Sequence, residues 1–115
     1  MSVDVTYQRG FQLRCDGQYA EAKSSFQQIL AQEPNHADSL WQLALIQGFE
    51  GDFDGSLEAL KAVVAAHPDH ENARFDLGMT MMMLGMSDEA CEIFREVLRR
   101  NPDHEKAKQQ MVYCR

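Results

Sequence analysis

Histidines, cysteines and a methionine cluster are the residues of this 115-residue chain whose chemistry could reach beyond packing. His36, His70 and His104 recur at a constant interval of 34 residues. Equal phase in successive units would displace them along the chain by a whole unit, so they cannot converge on one metal ion. They read as first-turn surface residues. His67 and His70 have i, i+3 spacing, but Pro68 breaks the helix that would bring the two rings to one face. Cys15, Cys91 and Cys114 are odd in number, widely spaced and without a Cys-x-x-Cys pair. That pattern points to reduced, partly buried thiols rather than a disulfide framework or a zinc site. Met79, Met81, Met82, Met83 and Met86 could offer thioethers to a soft metal such as copper. No Cys or His lies within that run, and flexible thioethers suit an adaptable apolar surface better. The carboxylates of Asp88-Glu89 and Glu92-Glu96 fall on the solvated side of a helix, where charge belongs. With no Gly-rich phosphate loop, nucleophile elbow or Cys/His dyad, no catalytic residue, metal ligand or cofactor is expected. The chain does not read as an enzyme.

The interval that separates the histidines also sets the elements that carry them. Pro34-Asn35-His36, Pro68-Asp69-His70 and Pro102-Asp103-His104 share the 34-residue spacing, and Gly17, Gly51 and Gly85 keep it in a second phase. A period of this length marks a helical unit that cannot bury its apolar face alone and must stack on copies of itself. The units run 3–36, 37–70 and 71–104, with a remnant 105–115 that opens a fourth and caps the array. One domain over residues 1–115 is expected, all-α, with seven helices and no strand. Each proline should end the helix before it at Glu33, His67 or Asn101, because the residue before a proline is driven out of the α region. Asn35, Asp69 and Asp103 are then placed to N-cap the next helix. The three glycines suit left-handed turns between the two helices of each unit.

Apolar residues fall where antiparallel helices must touch. Leu43 and Leu77 mark first helices, and Ala22, Phe26, Ile29 and Leu30 form an i, i+4, i+7, i+8 stripe on a second helix. Leu60, Val63 and Val64 repeat it, as do Ala90, Phe94, Val97 and Leu98. Gly10, Ala44 and Gly78 share one phase, where a side chain of one carbon or none permits close approach. On these residues the chain resembles the tetratricopeptide repeat family, whose unit runs W-x2-L-G-x2-Y, A-x3-F, P. Leu77-Gly78, Met81, Gly85, Ala90, Phe94 and Pro102 match it best. The first unit matches through Gly10, Gly17, Tyr19, Ala22, Phe26 and Pro34, and the second through Leu43, Ala44, Gly51, Phe53 and Pro68. The resemblance implies an α-solenoid, a right-handed superhelix of helix-turn-helix units. Thr6, Arg9 and Arg74 depart from it where the family favours large apolar residues, and Gln47 replaces its aromatic. Thr6 and Arg9 would give the first helix a polar outer side, as in a complete or nearly complete array, the alternative being a piece of a longer one. At the other end Ala107, Met111 and Val112 would pack inward, leaving Lys108, Gln109 and Arg115 in water.

The resemblance further implies that first helices line a concave face, with residues two, five, nine, twelve and thirteen of each unit projecting into it. Those phases carry Tyr7, Trp41 and Phe75, then Phe11, Leu45, Met79 and Tyr113, then Phe49, Met82 and Met83. They read as an aromatic and methionine groove centred on Trp41. Gln42 is also concave, as a rim residue whose truncation should leave both binding and stability intact. The Lys/Asn/Asn/Lys/Arg clamp by which relatives hold a chaperone carboxylate is absent: Tyr7, Phe11, Gln42, Asn72 and Asp76 stand in those places. An apolar, amphipathic or basic peptide or protein segment is the expected partner of an adaptor or chaperone-like module. The alternative is a structural module in which the chain assembles with itself. A formal net charge of −7 argues against nucleic acid or an anionic membrane as partner. The first residues lack a basic and apolar leader, and no stretch approaches the roughly 18 apolar residues of a membrane span, so a cytoplasmic location is expected.

Overall fold

A computed structural model describes residues 2–114. They form α1 (Val3–Cys15), α2 (Tyr19–Gln32), α3 (Ala37–Phe49), α4 (Phe53–Ala66), α5 (Glu71–Met83), α6 (Ser87–Arg100) and α7 (Glu105–Gln110), followed by a 3-10 turn, Met111–Tyr113. No strand occurs among the described residues. The chain divides into two compact units, 1–59 and 60–115, with the boundary inside α4.

The turns inside the hairpins have the conformation their residues require. Gly17, Gly51 and Gly85 hold φ of +79°, +93° and +78°, and among the described residues no other residue type has positive φ. Before the prolines, Glu33 and Asn101 end α2 and α6 with extended φ of −131° and −139°. The helices after the prolines begin differently from expectation. Asn35, Asp69 and Asp103 are exposed turn residues, and the caps are His36, His70 and His104. Each histidine is extended, and its Nδ1 accepts from the amide three residues on, at 3.2 Å from Ser39, 3.0 Å from Ala73 and 3.1 Å from Ala107. The imidazole Nδ1 lies as many bonds from Cα as the Oδ1 of Asn, so a neutral ring with its proton on Nε2 replaces the usual oxygen.

Within unit 1 the core gathers Ala22, Phe26, Ile29 and Ile46, with Val3, Tyr7, Leu13, Tyr19 and Leu43 packed against it. Within unit 2 the fully enclosed ring is Phe94, and Leu77, Ala90 and Val97 are also buried. The helices of both first and third hairpins approach through glycine. A Cβ on Gly10 would come within 2.9 Å of the Phe26 ring, and one on Gly78 within 2.6 Å of the Phe94 ring. Thr6 is buried and its hydroxyl donates back to the Ser2 carbonyl at 3.1 Å, whereas Arg9 is exposed.

Two expectations for the end of the chain are overturned. Cys91 and Cys114 are joined in a disulfide, with Cα atoms 5.8 Å apart, leaving Cys15 as the exposed free thiol. Spacing hid the pair because the turn between α6 and α7 returns a residue 23 positions later to the same helix. Val112, expected to pack inward, is 76% exposed, while Ala107 is fully buried and Met111 half-buried. Ala107 is the buried residue of α7, whose cap His104 also meets Phe75. Arg115 lies outside the described residues.

Two outcomes are expected. Reduction should lower unit 2 stability by about 3 kcal/mol, the chain-entropy value for a loop of this size; thermal melts with and without a phosphine reductant measure it, and thiol titration should rise from one thiol per chain to three. His104→Ala should cost about 1 kcal/mol or more in urea denaturation, as the cap and a ring contact are both lost, while His104→Asn should recover the capping share.

Candidate functional site

The concave-phase residues are best described unit by unit. In unit 1, Tyr7 on α1 lies against the core: its ring meets Phe26 edge-on at 5.6 Å between centroids and His36 at 5.9 Å. Its hydroxyl accepts a hydrogen bond from Gln42 Nε2 at 3.0 Å. Burial raises the Tyr7 phenol pKa above its ordinary value, and the bond from Gln42 opposes that rise. Gln42 is therefore no rim residue. It is fully enclosed, and its Oε1 has no partner. Trp41 and Leu45, neighbours of Gln42 on α3, are half-buried.

Beyond them the surface opens. Phe11 is exposed and Phe49, at the end of α3, is 52% exposed. Arg14 bridges them, with Cζ 5.1 Å from the Phe11 ring centroid and 5.5 Å from that of Phe49. Tyr19, the first residue of α2, stacks on the other side of the cluster against Phe49 at 5.9 Å. A guanidinium between two aromatic faces is attracted to both ring quadrupoles, which organises two exposed rings that would otherwise move independently. Arg14 and Tyr19 were missed as members of this surface. The signal for Arg14 was available, since it occupies the twelfth position of its unit, a concave phase.

In unit 2 the fifth-phase aromatic repeats the Tyr7 arrangement. Phe75 packs on Phe94 at 5.7 Å and stacks on His104 at 5.0 Å. The offset from Tyr7, Phe26 and His36 is two repeats for every member. Met79 and Met82 are half-buried and Met83 is exposed, while Met81 belongs to the core. Tyr113 on the terminal turn is 71% exposed and lines a shallow cavity with Ser87, Cys91 and Arg95 of α6. The predicted residues thus differ in kind: Tyr7 and Phe75 are core-supported, Phe11, Phe49, Met83 and Tyr113 are open, and the others are intermediate.

Tetratricopeptide repeat family models match residues 50–113 and 5–36. The chain belongs to the tetratricopeptide repeat family. No curated protein sequence matches it. Among solved structures, it is similar to the first tetratricopeptide domain of Spaghetti (RPAP3) bound to the HSP90 peptide SRMEEVD, with 18% identity and a TM-score of 0.85 over 96% of this chain and 88% of that one. It is similar to MamA at 18% identity and a TM-score of 0.81 over 96% of this chain. It is also similar to YrrB, a tetratricopeptide protein with an unusual peptide-binding site, at 24% identity and a TM-score of 0.79 over 95% of this chain. The chain spans 64% of the MamA chain and 56% of the YrrB chain. At these identities the likeness establishes the all-α repeat fold. Among the described residues no helix is long and apolar enough to cross a membrane.

Within this tetratricopeptide scaffold, the Tyr7–Gln42 bond ties α1 to α3 from a fully enclosed amide. Gln42→Ala should therefore destabilise the protein by about 2 kcal/mol, the sum of a lost buried hydrogen bond and a small cavity. Urea denaturation followed by circular dichroism measures it, and an unchanged midpoint would show that the amide is dispensable.

Proposed function

We propose that this chain is a non-enzymatic protein-interaction adaptor, chaperone-like in its permissiveness, which holds an apolar or amphipathic segment of a partner on the concave phases of its first helices. Unit 1 supplies Tyr7, Phe11, Trp41, Leu45 and Phe49, and unit 2 supplies Phe75, Met79, Met82, Met83 and Tyr113. The repeats 3–36, 37–70 and 71–104, with the terminal segment 105–115, form the scaffold. The observation that carries the reading is the exposed Phe11–Arg14–Phe49 cluster, because large rings held in place but left open to water offer contact area at little ordering cost. The net charge of −7 favours partner segments with basic residues at their flanks and disfavours nucleic acid or an anionic membrane. Arg14 restricts the centre of the cluster to apolar or anionic groups.

A second reading rests on a separate observation. Val112 and Tyr113 are 76% and 71% exposed on a turn tethered by a disulfide. Such a presented apolar pair suits contact with a second copy of the chain, making the protein a self-assembling module. The cytoplasmic location expected from the sequence has the Cys91–Cys114 bridge against it, since disulfides persist mainly in oxidising compartments.

Anisotropy titration with a fluorescein-labelled, basic amphipathic helical peptide tests the adaptor reading. Trp41→Ala and Phe49→Ser should each weaken binding at least tenfold, about 1.4 kcal/mol, with melting largely unchanged, and peptide should shift Trp41 emission to the blue. Equal binding by wild type and both variants would remove the site. Light scattering over a dilution series separates the alternative: a mass that falls on dilution, and that Tyr113→Ser reduces to monomer at all concentrations, would favour self-assembly.

A further inference from the structure

Arg74 occupies the position in its repeat where the family pattern has tryptophan, one turn before Leu77-Gly78 on α5. It is 6% exposed. Despite that burial, its guanidinium has no hydrogen bond or ion pair among the described residues. Where an indole would fill space, the structure has a cavity of about 350 Å³, lined by Arg74, Asp69, Glu71, Val97, Arg100 and Asn101.

The carboxylates that could serve Arg74 are held by other donors. Glu71 accepts from Asn101 Nδ2 at 2.6 Å, and Asp69 accepts from Arg100 at 3.3 Å. Glu96 takes Arg99 at 2.6 and 2.7 Å and Arg100 at 3.0 Å. These bonds pull the Glu96 carboxyl down to about 2. Burial first, and then repulsion from Arg100, lowers the Arg74 pKa from its ordinary value. Glu96 and Asp69 offset this only in part and from a distance, so the five donors of the guanidinium fork face the cavity without a direct protein acceptor. The first turn of α5 adds the positive end of its helix dipole on the same side. Asp69 and Glu71 set the opposing field, which limits the cavity to a compact ligand that can meet Arg74 directly.

We propose that this cavity, between the start of α5 and the end of α6, is a binding site for a small oxyanion, a carboxylate or a phosphate, held by Arg74. Planar carboxylate and phosphate oxygens match the guanidinium fork two at a time, and the cavity has room for a group of that size with a short tail. The site lies wholly within unit 2 and uses none of the concave-phase residues, so its existence does not depend on the adaptor reading.

The full chain, labelled with 15N, is titrated at constant pH with sodium acetate, sodium succinate and sodium phosphate, each against sodium chloride of matched ionic strength. A saturable shift of the Arg74 Nε–H resonance is expected with at least one oxyanion. The melting temperature should rise by several degrees over the chloride control. Acetate and succinate against phosphate identify which oxyanion is preferred. Arg74→Met, which keeps an unbranched side chain without the charge, should abolish the oxyanion-specific rise, and Arg99→Met should keep it. An Arg74 resonance that moves equally in chloride overturns the proposal, as does an equal rise in Arg74→Met. The resonance titration is made on the unsubstituted protein and decides the question even if Arg74→Met fails to fold.

Discussion

A phenylalanine seated on a residue without a Cβ is the contact on which this structure depends. Phe26 stands over Gly10 and Phe94 over Gly78, in both cases so close that a methyl group would enter the ring. Both rings are fully enclosed. The close approach brings the two helices of a hairpin within reach along their length, and it lets the small residues Ala22 and Ala90 reach full burial. The left-handed glycine turns close the hairpins at their ends, whereas these ring contacts determine how deeply the helices interlock.

From that seat the contacts extend outward in a fixed order. The same phenylalanine supports an aromatic at the fifth position of the repeat, Tyr7 or Phe75, which in turn contacts the histidine at the start of the next helix. That histidine has two roles, since its ring contacts the aromatic while its Nδ1 caps the helix. Core, concave surface and helix start are thereby joined through one ring at the starts of α3 and α7. An aspartate could cap the helix but has no face to offer an aromatic, which accounts for histidine at the cap and Asn or Asp in the preceding turn.

The electrostatics follow from how far each charge is withdrawn from water. Glu92, Glu96 and their arginines form short surface pairs along α6, a pattern that contributes little individually but organises the C-terminal half of the helix. Arg14 and Arg74 differ. One lies over aromatic rings in place of a carboxylate partner, and the other is enclosed beside a cavity whose acidic groups are already engaged. These two arginines mark the places where the chain departs from a merely packed repeat scaffold.

Periodicity alone determined the class of fold, the hairpin turns at Gly17, Gly51 and Gly85, the helix ends before the prolines and the apolar stripes, because each is local or repeats at a spacing that only stacked helix pairs satisfy. The family resemblance, rather than periodicity, put Phe11 and Phe49 in concave phases, and both are exposed. Tertiary structure alone decided the rest. Gln42 and Trp41 are adjacent in sequence and one is sealed while the other is half-open, a distinction set by what packs above α3 rather than by phase. The capping histidines needed backbone geometry, since Nδ1 and Oδ1 compete one residue apart for the same amide. The Cys91–Cys114 bridge required the return of the chain past α6, and the lack of a direct hydrogen bond to Arg74 required knowing that Asp69, Glu71 and Glu96 each accept from another donor. Sequence spacing records which residues share a helix face, but partners are chosen by distances between helices, and those exist only after the chain has folded.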